Sequence, residues 1–312
     1  MNEFYVSSNG DDFLPGTADK PFQTIERAQA AARYEAGMVT IYVMGGMYCL
    51  KNTLCFDERD SNTVYTAYKN EEPVISGGKR VTEWERVSEN IWRAPLSEPS
   101  IVREFYVNGK RATRAASKSR ITPCGWYNDL SNLKTTVDGI FVKAAEVGLW
   151  ENTEEIQLHY CHGWKSMTVN IDKIVPYDEE KNIILSSHPS FQNARNGNHH
   201  IAQYTPFMIE NAFEVMDSEN DFYYNSKEKY LYYYTKEDMN KAEAYVPVLE
   251  ELLHIYGSNL KNKIKNLVFK GITFTHATWY RPQKHGLITG QAQLINPIDN
   301  SIHEILDNKF IP

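Results

Sequence analysis

TIYVM at residues 40–44 is the first of four short apolar segments that decide the fold. TLCF at 53–56, TVYTAY at 63–68 and PVIS at 73–76 follow it, and each segment ends at a turn. Successive segments start ten to thirteen residues apart, which is too close for βαβ crossovers, and no Asn-Gly turn joins them as in a simple hairpin. Strands that step around a solenoid fit this spacing. We therefore predict an all-β chain built on a parallel β-helix.

A capping helix is predicted ahead of these segments. After a short strand at residues 4–6, the sequence FQTIERAQAAARY at 22–34 repeats small apolar residues at helical spacing, and Gly37 ends the pattern. A β-helix needs such a cap because its first coil otherwise exposes an open hydrophobic core. Residues 1–80 are thus predicted to form the N-terminal cap and the first coils.

Paired strands replace single ones from about residue 81. The predicted hairpins are FYV at 105–107 through Asn108-Gly109, IQLHY at 156–160 with 166–171, and the aromatic segments 222–224 with 230–234. Antiparallel hairpins at this density favour a β-sandwich inserted over residues 81–244. The regularly placed apolar residues of NLVFKGITFTHATW at 266–279 indicate that the β-helix resumes over residues 245–312.

Charge and composition exclude several classes of function. The 312 residues carry 33 Lys and Arg against 40 Asp and Glu, with no basic run that could follow a phosphate backbone, so nucleic acid is not an expected partner. No apolar stretch is long enough for a membrane span, and residues 1–8 lack the pattern of a signal peptide. We expect a cytoplasmic protein, or a secreted one if a leader was removed. The four cysteines show no CxxC or zinc spacing, and we predict no metal site and no cofactor.

Several blocks of sequence carry a recognisable pattern: FYVSSNGDD, KPFQTIERAQAAA, GGMYCLKNTLCFDERDS, AYKNEEPVISGGKRVTEW, IWRAPL, REFYVNGKRATRA and VFKGITFTHATWYRP. Together they resemble the amino-terminal half of glycoside hydrolase family 141 and, more distantly, family 120. The resemblance runs from Phe4 to about Gln291. It implies a right-handed parallel β-helix enzyme of the pectin-lyase-like fold, which acts on plant cell-wall glycans as an α-L-fucosidase or a xylanase. It also implies that the catalytic carboxylates lie on later coils, beyond residue 312, so that this chain would be an inactive fragment.

The stretch HATWYRP at 276–282, followed by His285, is the most suggestive one for substrate contact. Trp279 could stack on a sugar face, His276 and His285 could hydrogen-bond to hydroxyl groups, and Arg281 could bind a carboxylated sugar. The same residues could equally form a loop that packs its own tryptophan. We therefore predict His276, Trp279, Arg281 and His285 as substrate-binding residues and keep the packing alternative open.

The acidic residues offer no clear catalytic pair, although glycoside hydrolysis needs two carboxylates across the scissile bond. Asp57, Glu58 and Asp60 form the densest acidic group among the predicted coils and are best interpreted as a solvated turn. Glu250 and Glu251 are interpreted as exposed charges at a strand edge. The catalytic residues are therefore left unassigned.

Arg111 and Arg114 are the remaining candidates for contact with a glycan, and three functions remain open for the chain. Arg111 and Arg114 could grip an acidic glycan, but alternating arginines on one strand more often form a solvated face. The chain could be a glycoside hydrolase, a polysaccharide lyase with a Ca²⁺-binding carboxylate cluster, or a non-catalytic glycan-binding β-helix. An oligo- or polysaccharide is the expected partner in each case. An open solenoid end also predicts self-association through that end.

Overall fold

The computed structural model describes residues 2–128, 138–162, 165–187, 190–191, 205–280, 286–290 and 293–295. The chain forms two compact units. The first unit contains Met1–Val81, Tyr106–Gly109 and Glu243–Trp279, and the second contains Thr82–Phe105, Lys110–Ala242 and Tyr280–Pro312. Among the described residues, no helix is long and apolar enough to cross a membrane.

Strands dominate the described residues, and α1 (Ile25–Ala32) is an α-helix of eight residues. In chain order the strands are β1 (Asn2–Val6), β2 (Val39–Val43), β3 (Gly46–Cys49), β4 (Leu54–Phe56), β5 (Thr63–Ala67), β6 (Pro73–Ser76), β7 (Gly78–Arg80), β8 (Glu85–Arg86), β9 (Ile91–Pro95), β10 (Tyr106–Val107), β11 (Lys110–Arg111), β12 (Thr113–Arg114), β13 (Gly125–Asn128), β14 (Asp138–Lys143), β15 (Gln157–His162), β16 (Lys165–Pro176), β17 (Lys181–Ser186), β18 (Phe207–Glu210), β19 (Asp221–Asn225), β20 (Tyr230–Tyr234), β21 (Ala244–Pro247), β22 (Leu253–Ile255), β23 (Val268–Lys270), β24 (Thr273–Thr275), β25 (Leu287–Gly290) and β26 (Gln293–Ile295). Short 3₁₀ helices occupy Glu58–Asp60, Thr153–Glu155, Phe213–Val215 and Met239–Lys241.

Parallel strand pairs organise much of the first unit. β2 lies between β1 and β5, and β23 pairs with β5 on its other side. β6 pairs with β3 and β24, and β4 pairs with β22, again in parallel. Side chains of a strand alternate between its two faces, so Val39, Ile41 and Val43 of β2 all point into the core.

Helix α1 adds a small apolar face to this core. Thr24 is the N-cap, and its Oγ1 accepts a hydrogen bond of 3.1 Å from the backbone N–H of Arg27. Ile25, Ala28 and Ala32 of the helix are buried with the strand residues. The helix is shorter at both ends than the predicted 22–34, because the cap at Thr24 fixes where it begins.

Antiparallel pairs dominate the second unit. Its largest sheet has the order β13-β14-β17-β16-β15-β18, with β25 and β26 attached beside β16. A second sheet has the order β12-β19-β20-β9-β8, in which only the β12–β19 pair is parallel. The core under the largest sheet includes Leu158, Tyr160, Val169, Phe207 and Ile209.

The predicted right-handed parallel β-helix with an inserted β-sandwich is wrong as the fold. The chain is all-β, but most of its described strands belong to antiparallel or mixed sheets, and the described residues form no parallel β-helix solenoid. Among the described strands, parallel pairing is limited to small sheets of two to four strands and to the β12–β19 pair. The four apolar segments do contain β2, β4, β5 and β6. Their spacing locates strands without fixing the direction of the partner, and β4, β5 and β6 each pair with a strand from much later in the chain.

Candidate functional site

The largest sheet of the second unit has one apolar and one polar face. In β15, Leu158 and Tyr160 alternate with Gln157 and His159. Because successive side chains of a strand point to opposite sides, the two pairs lie on opposite faces of the sheet. Leu158 and Tyr160 are fully buried in the core. Gln157 and His159 therefore lie on the reverse face.

Strand register brings five polar side chains together on that reverse face. Gln157 of β15 lies opposite Glu210 of β18 on one side and opposite Asn170 of β16 on the other. His159 lies opposite Thr168 of β16. Diagonal neighbours on one face are within reach of long side chains, so Glu210 also reaches His159. We call these five residues the polar face.

Arg114 of β12 reaches the polar face from beside β18. The chain after it runs along this strand, and the backbone N–H of Asn211 donates to the carbonyl oxygen of Ala115 at 2.8 Å. Nη1 of Arg114 donates to Oε2 of Glu210 and to Oε1 of Gln157, each at 2.9 Å. Only 9% of the Arg114 side chain is exposed. The solvated face favoured for this residue from the sequence is therefore wrong.

A second arginine, Arg103, converges on the same two acceptors. Its Nη1 donates to Oε1 of Gln157 at 3.0 Å, and its Nη2 lies 3.9 Å from Oε2 of Glu210. Its side chain is 14% exposed. Two nearly buried guanidinium groups thus share one amide oxygen and one carboxylate.

His159 completes the ring of donors around Glu210. Its Nε2 lies 2.9 Å from Oε2 of Glu210, and its Nδ1 lies 2.7 Å from Oγ1 of Thr168. A neutral imidazole satisfies both contacts if Nε2–H donates to the carboxylate and the threonine hydroxyl donates to Nδ1. The carboxylate of Glu210 then accepts from a histidine and from Arg114.

These contacts shift the acidity of three groups. Burial disfavours the charged form of Glu210, but the His159 hydrogen bond and the charges of Arg114 and Arg103 outweigh it and lower its pKa to about 2. Burial and the neighbouring charge of Arg114 lower the pKa of Arg103 to about 10. Burial likewise lowers the pKa of Arg114, although Glu210 opposes that shift. The two arginines therefore repel each other in a poorly solvated place.

Two cavities flank this arginine pair. The first, of about 360 Å³, is lined by Arg103, Glu104, Arg111, Ala112, Thr113, Arg114 and Glu210. The second, of about 210 Å³, is lined by Ser100, Ile101, Val102, Arg103, Arg114, Glu154, Glu155, Gln157, Asn170, Asn211 and Tyr224. Arg103 and Arg114 are common to both linings, so a ligand in either cavity meets both guanidinium groups.

Glu155, on the second cavity, has the opposite acidity shift to Glu210. It accepts a hydrogen bond of 2.6 Å from Nδ2 of Asn152 and further ones from the backbone and hydroxyl of Ser226. Burial nevertheless raises the pKa of Glu155. A carboxyl group with a raised pKa beside one with a lowered pKa is the arrangement of an acid and a base or nucleophile. Glu155 and Glu210 line different cavities, however, so this pair does not flank one bond.

The four predicted substrate-binding residues lie outside this site or outside the described residues. His276 is buried, its Nδ1 lies 2.8 Å from Oγ of Ser76, and its ring packs between those of Tyr106 and Tyr245. Trp279 is half-buried. Arg281 and His285 fall outside the described residues. Substrate binding by these four residues stays a prediction.

The acidic turn of the first unit is structural and not solvated. Asp60 is buried and receives two hydrogen bonds from the guanidinium of Arg33, at 2.8 and 2.6 Å. Asp57 is also buried and lies 2.6 Å from Nη2 of Arg59. Glu58, between these residues, is half-buried. The interpretation as solvated charges is therefore wrong for both aspartates.

Sequence reasoning missed most of the polar face. The alternation in IQLHY predicts the strand but was not followed to its polar positions, Gln157 and His159. TVN at 168–170 repeats that alternation on the partner strand and places Thr168 and Asn170 on one face. Nothing in the sequence marks Arg103, which lies in a loop. Among the described residues no group of three His, Cys, Asp or Glu could hold a metal ion.

Comparison with known proteins gives a likeness of fold. No family model matches the sequence, and no curated protein matches it. A solved structure titled "Glycoside hydrolase" aligns with 92% of this chain at a TM-score of 0.75 and 23% sequence identity. The chain spans about half, 52%, of that protein's length. A second structure, titled "The complex structure of XylC with xylose", covers 88% of this chain and 35% of its own at 18% identity, with a TM-score of only 0.35. The chain therefore shares its fold with the first of these proteins.

Proposed function

We propose that the chain is a glycan-binding part of a glycoside hydrolase that acts on plant cell-wall glycans, of the α-L-fucosidase or xylanase type. The likeness of fold to the solved glycoside hydrolase carries the proposal, with a TM-score of 0.75 over 92% of the chain. The sequence blocks that resemble family 141 support the same class. A fold by itself hosts many activities, so the role of each site must come from its own chemistry.

The chemistry of the two cavities supports binding more than bond cleavage. Four carboxylates line them, and each has a partner. Glu210 is held by Arg114 and His159, Glu104 accepts from Arg111 at 3.1 Å, Glu154 pairs with Lys227, and Glu155 accepts from Asn152 and Ser226. A nucleophile or general base needs a carboxylate that is available to the sugar or to water.

Polar groups in a cavity of this size suit a sugar. Cavities that bind small molecules are roughly 300–1,000 Å³ in volume and use a few well-placed polar groups for orientation, and the first cavity, at about 360 Å³, falls in that range. Guanidinium groups of Arg103 and Arg114 and the hydroxyl group of Thr113 line it. We therefore propose that this site holds a glycan and that the chain alone turns glycans over poorly.

The test measures binding and hydrolysis with the same protein. Xylan and p-nitrophenyl α-L-fucoside serve as substrates, with release of reducing sugar or p-nitrophenol as the readout, and affinity electrophoresis in plant cell-wall glycans reports binding. Retardation by a glycan with little turnover is the expected result. No retardation by any such glycan would refute the proposed function. Robust turnover that is lost in Glu155→Gln, with the fold retained by circular dichroism, would refute the binding role assigned to these cavities.

A further inference from the structure

We propose that the first cavity binds the carboxylate of an acidic sugar, a uronate residue of a glycan, between the guanidinium groups of Arg103 and Arg114. The inference rests on the proposed function and names the class of glycan that this site takes. Three observations carry it: the charge of the lining, an unpartnered donor on a buried arginine, and the way in which the two guanidinium groups are held.

The lining of the first cavity has an excess of positive charge. Arg103, Arg111 and Arg114 face two carboxylates, those of Glu104 and Glu210. Glu104 pairs with Arg111, whose side chain is 61% exposed at the rim. Glu210 is the carboxylate of this lining that both nearly buried arginines approach within 4 Å. Uncompensated charge in a poorly solvated place is costly, so an anion that enters here is bound favourably.

Arg114 has a donor that its protein neighbours do not use. Its side chain is more than nine-tenths buried, and its Nε has no hydrogen-bond partner among the described residues. Its Nη1 is already engaged by Glu210 and Gln157. A guanidinium group presents donors in a planar fork that matches a carboxylate with two parallel hydrogen bonds. The shortage of acceptors around this buried guanidinium group favours an anion in the cavity that Arg114 lines.

The polar face holds the arginine pair in place before any ligand arrives. Oε1 of Gln157 accepts from Nη1 of Arg103 at 3.0 Å and from Nη1 of Arg114 at 2.9 Å. Glu210 is fixed in turn by His159 at 2.9 Å. Side chains that are already ordered lose little freedom on binding, which favours affinity. The amide of Gln157 thus sets the spacing of the two guanidinium groups without neutralising them.

A sugar offers ring hydroxyl groups for hydrogen bonding, which a simple anion does not. Thr113 and Arg111 line the same cavity farther out and can contact ring hydroxyl groups. A uronate carries a carboxylate and several hydroxyl groups on one rigid ring, which suits a lining of guanidinium and hydroxyl groups.

Isothermal titration calorimetry with trigalacturonate and with its methyl ester tests the proposal. The two ligands share a sugar backbone and differ in charge. We expect trigalacturonate to bind about tenfold or more tightly than the ester, as hydrogen bonds between charged groups provide. Arg103→Met should remove most of this difference, and Arg103→Lys, which keeps the charge but not the fork, should remove part of it. Arg120→Met is the matched control, because Arg120 is exposed and belongs to neither lining.

The other possible results contradict either this inference or the proposed function. Equal affinity for the acid and the ester, or equal effects of Arg103→Met and Arg120→Met, would overturn the proposal. Inorganic sulfate that binds as tightly as trigalacturonate would show a general anion site and overturn the assignment to a sugar. Binding of neutral xylan without any preference for trigalacturonate would refute this inference and leave the proposed function standing. Binding of trigalacturonate by a chain that is retarded by no plant cell-wall glycan would refute the proposed function and leave this inference standing.

Discussion

Replacing Glu210 with glutamine tests whether one carboxylate neutralises the arginine pair. The substitution keeps the size of the side chain and one oxygen for His159, but it removes the negative charge that Arg114 contacts at 2.9 Å. Arg103 and Arg114, with 14% and 9% of their side chains exposed, would then face each other without compensation. We expect a clear loss of stability and a dependence on pH.

The size of the loss follows from the pKa of Glu210. Its lowering from 4.5 to about 2 corresponds to roughly 3 kcal/mol of stability above the unfolded-state pKa. Removal of one partner from a buried ion pair costs about 3–5 kcal/mol, which agrees. Because the folded-state pKa is lowered, this stability is present above about pH 4.5 and is lost as the pH falls towards 2. At pH 3 the difference between wild type and Glu210→Gln should be about half of its value at pH 7.

Urea denaturation followed by tryptophan fluorescence at pH 7 and at pH 3 measures the difference. Glu85→Gln is the control, because Glu85 also pairs with an arginine, Arg93, but has 53% of its side chain exposed. Exposed pairs contribute about 0–1 kcal/mol, so this variant should resemble the wild type. A loss in Glu210→Gln no larger than in Glu85→Gln, or an equal loss at both pH values, would refute the reasoning.

Two further pairs of substitutions test the first unit. Gly16→Ala should destabilise far more than Gly37→Ala in thermal unfolding: both glycines have positive φ, 77° and 85°, but an added Cβ lies 2.2 Å from the ring of Phe22 at Gly16 and meets nothing within 4 Å at Gly37. Gly37→Ala should cost only the left-handed backbone term, about 1 kcal/mol, and equal losses would contradict the contact argument. Asp60→Asn should cost about 3 kcal/mol because it breaks a buried ion pair. Glu58→Gln nearby should destabilise much less, and similar losses for the two variants would show that the turn is solvated.

Local features of the fold were predictable from the sequence, and long-range pairing was not. The aromatic segments 222–224 and 230–234 do pair as β19 and β20, with Tyr223 opposite Tyr232, because a short turn leaves little choice of partner. β5 instead takes β23 as a neighbour, from near the end of the described chain. Its apolar alternation is satisfied by a parallel or an antiparallel partner alike, so the pattern does not decide between solenoid coils and separate sheets.

The same limit applied to the candidate site. Arg114 and Glu210 are 96 residues apart, and their contact depends on which chain segment lies beside β18. From the sequence, two nearby arginines such as Arg111 and Arg114 resemble a solvated face, and the burial of Arg114 follows only from the tertiary structure. The polar positions of β15 were readable because alternation is local. The role of these residues in the site was not predictable, because it depends on two arginines that approach from another sheet and from a loop.

Arg103 should favour binding of the ligand and, at the same time, lower the stability of the unliganded fold. Burial and the charge of Arg114 lower the pKa of Arg103 to about 10, so its charged form is disfavoured in the folded protein, and its charge lowers the free energy of unfolding at neutral pH. Arg114 still compensates Glu210 when Arg103 is absent. Arg103→Met should therefore leave the unliganded protein no less stable than wild type in urea denaturation, although it loses the preference for trigalacturonate. Residues kept at a cost in stability are typical of binding sites, whereas a residue kept for the fold has the opposite effect. A marked destabilisation of Arg103→Met would show that this arginine serves the fold.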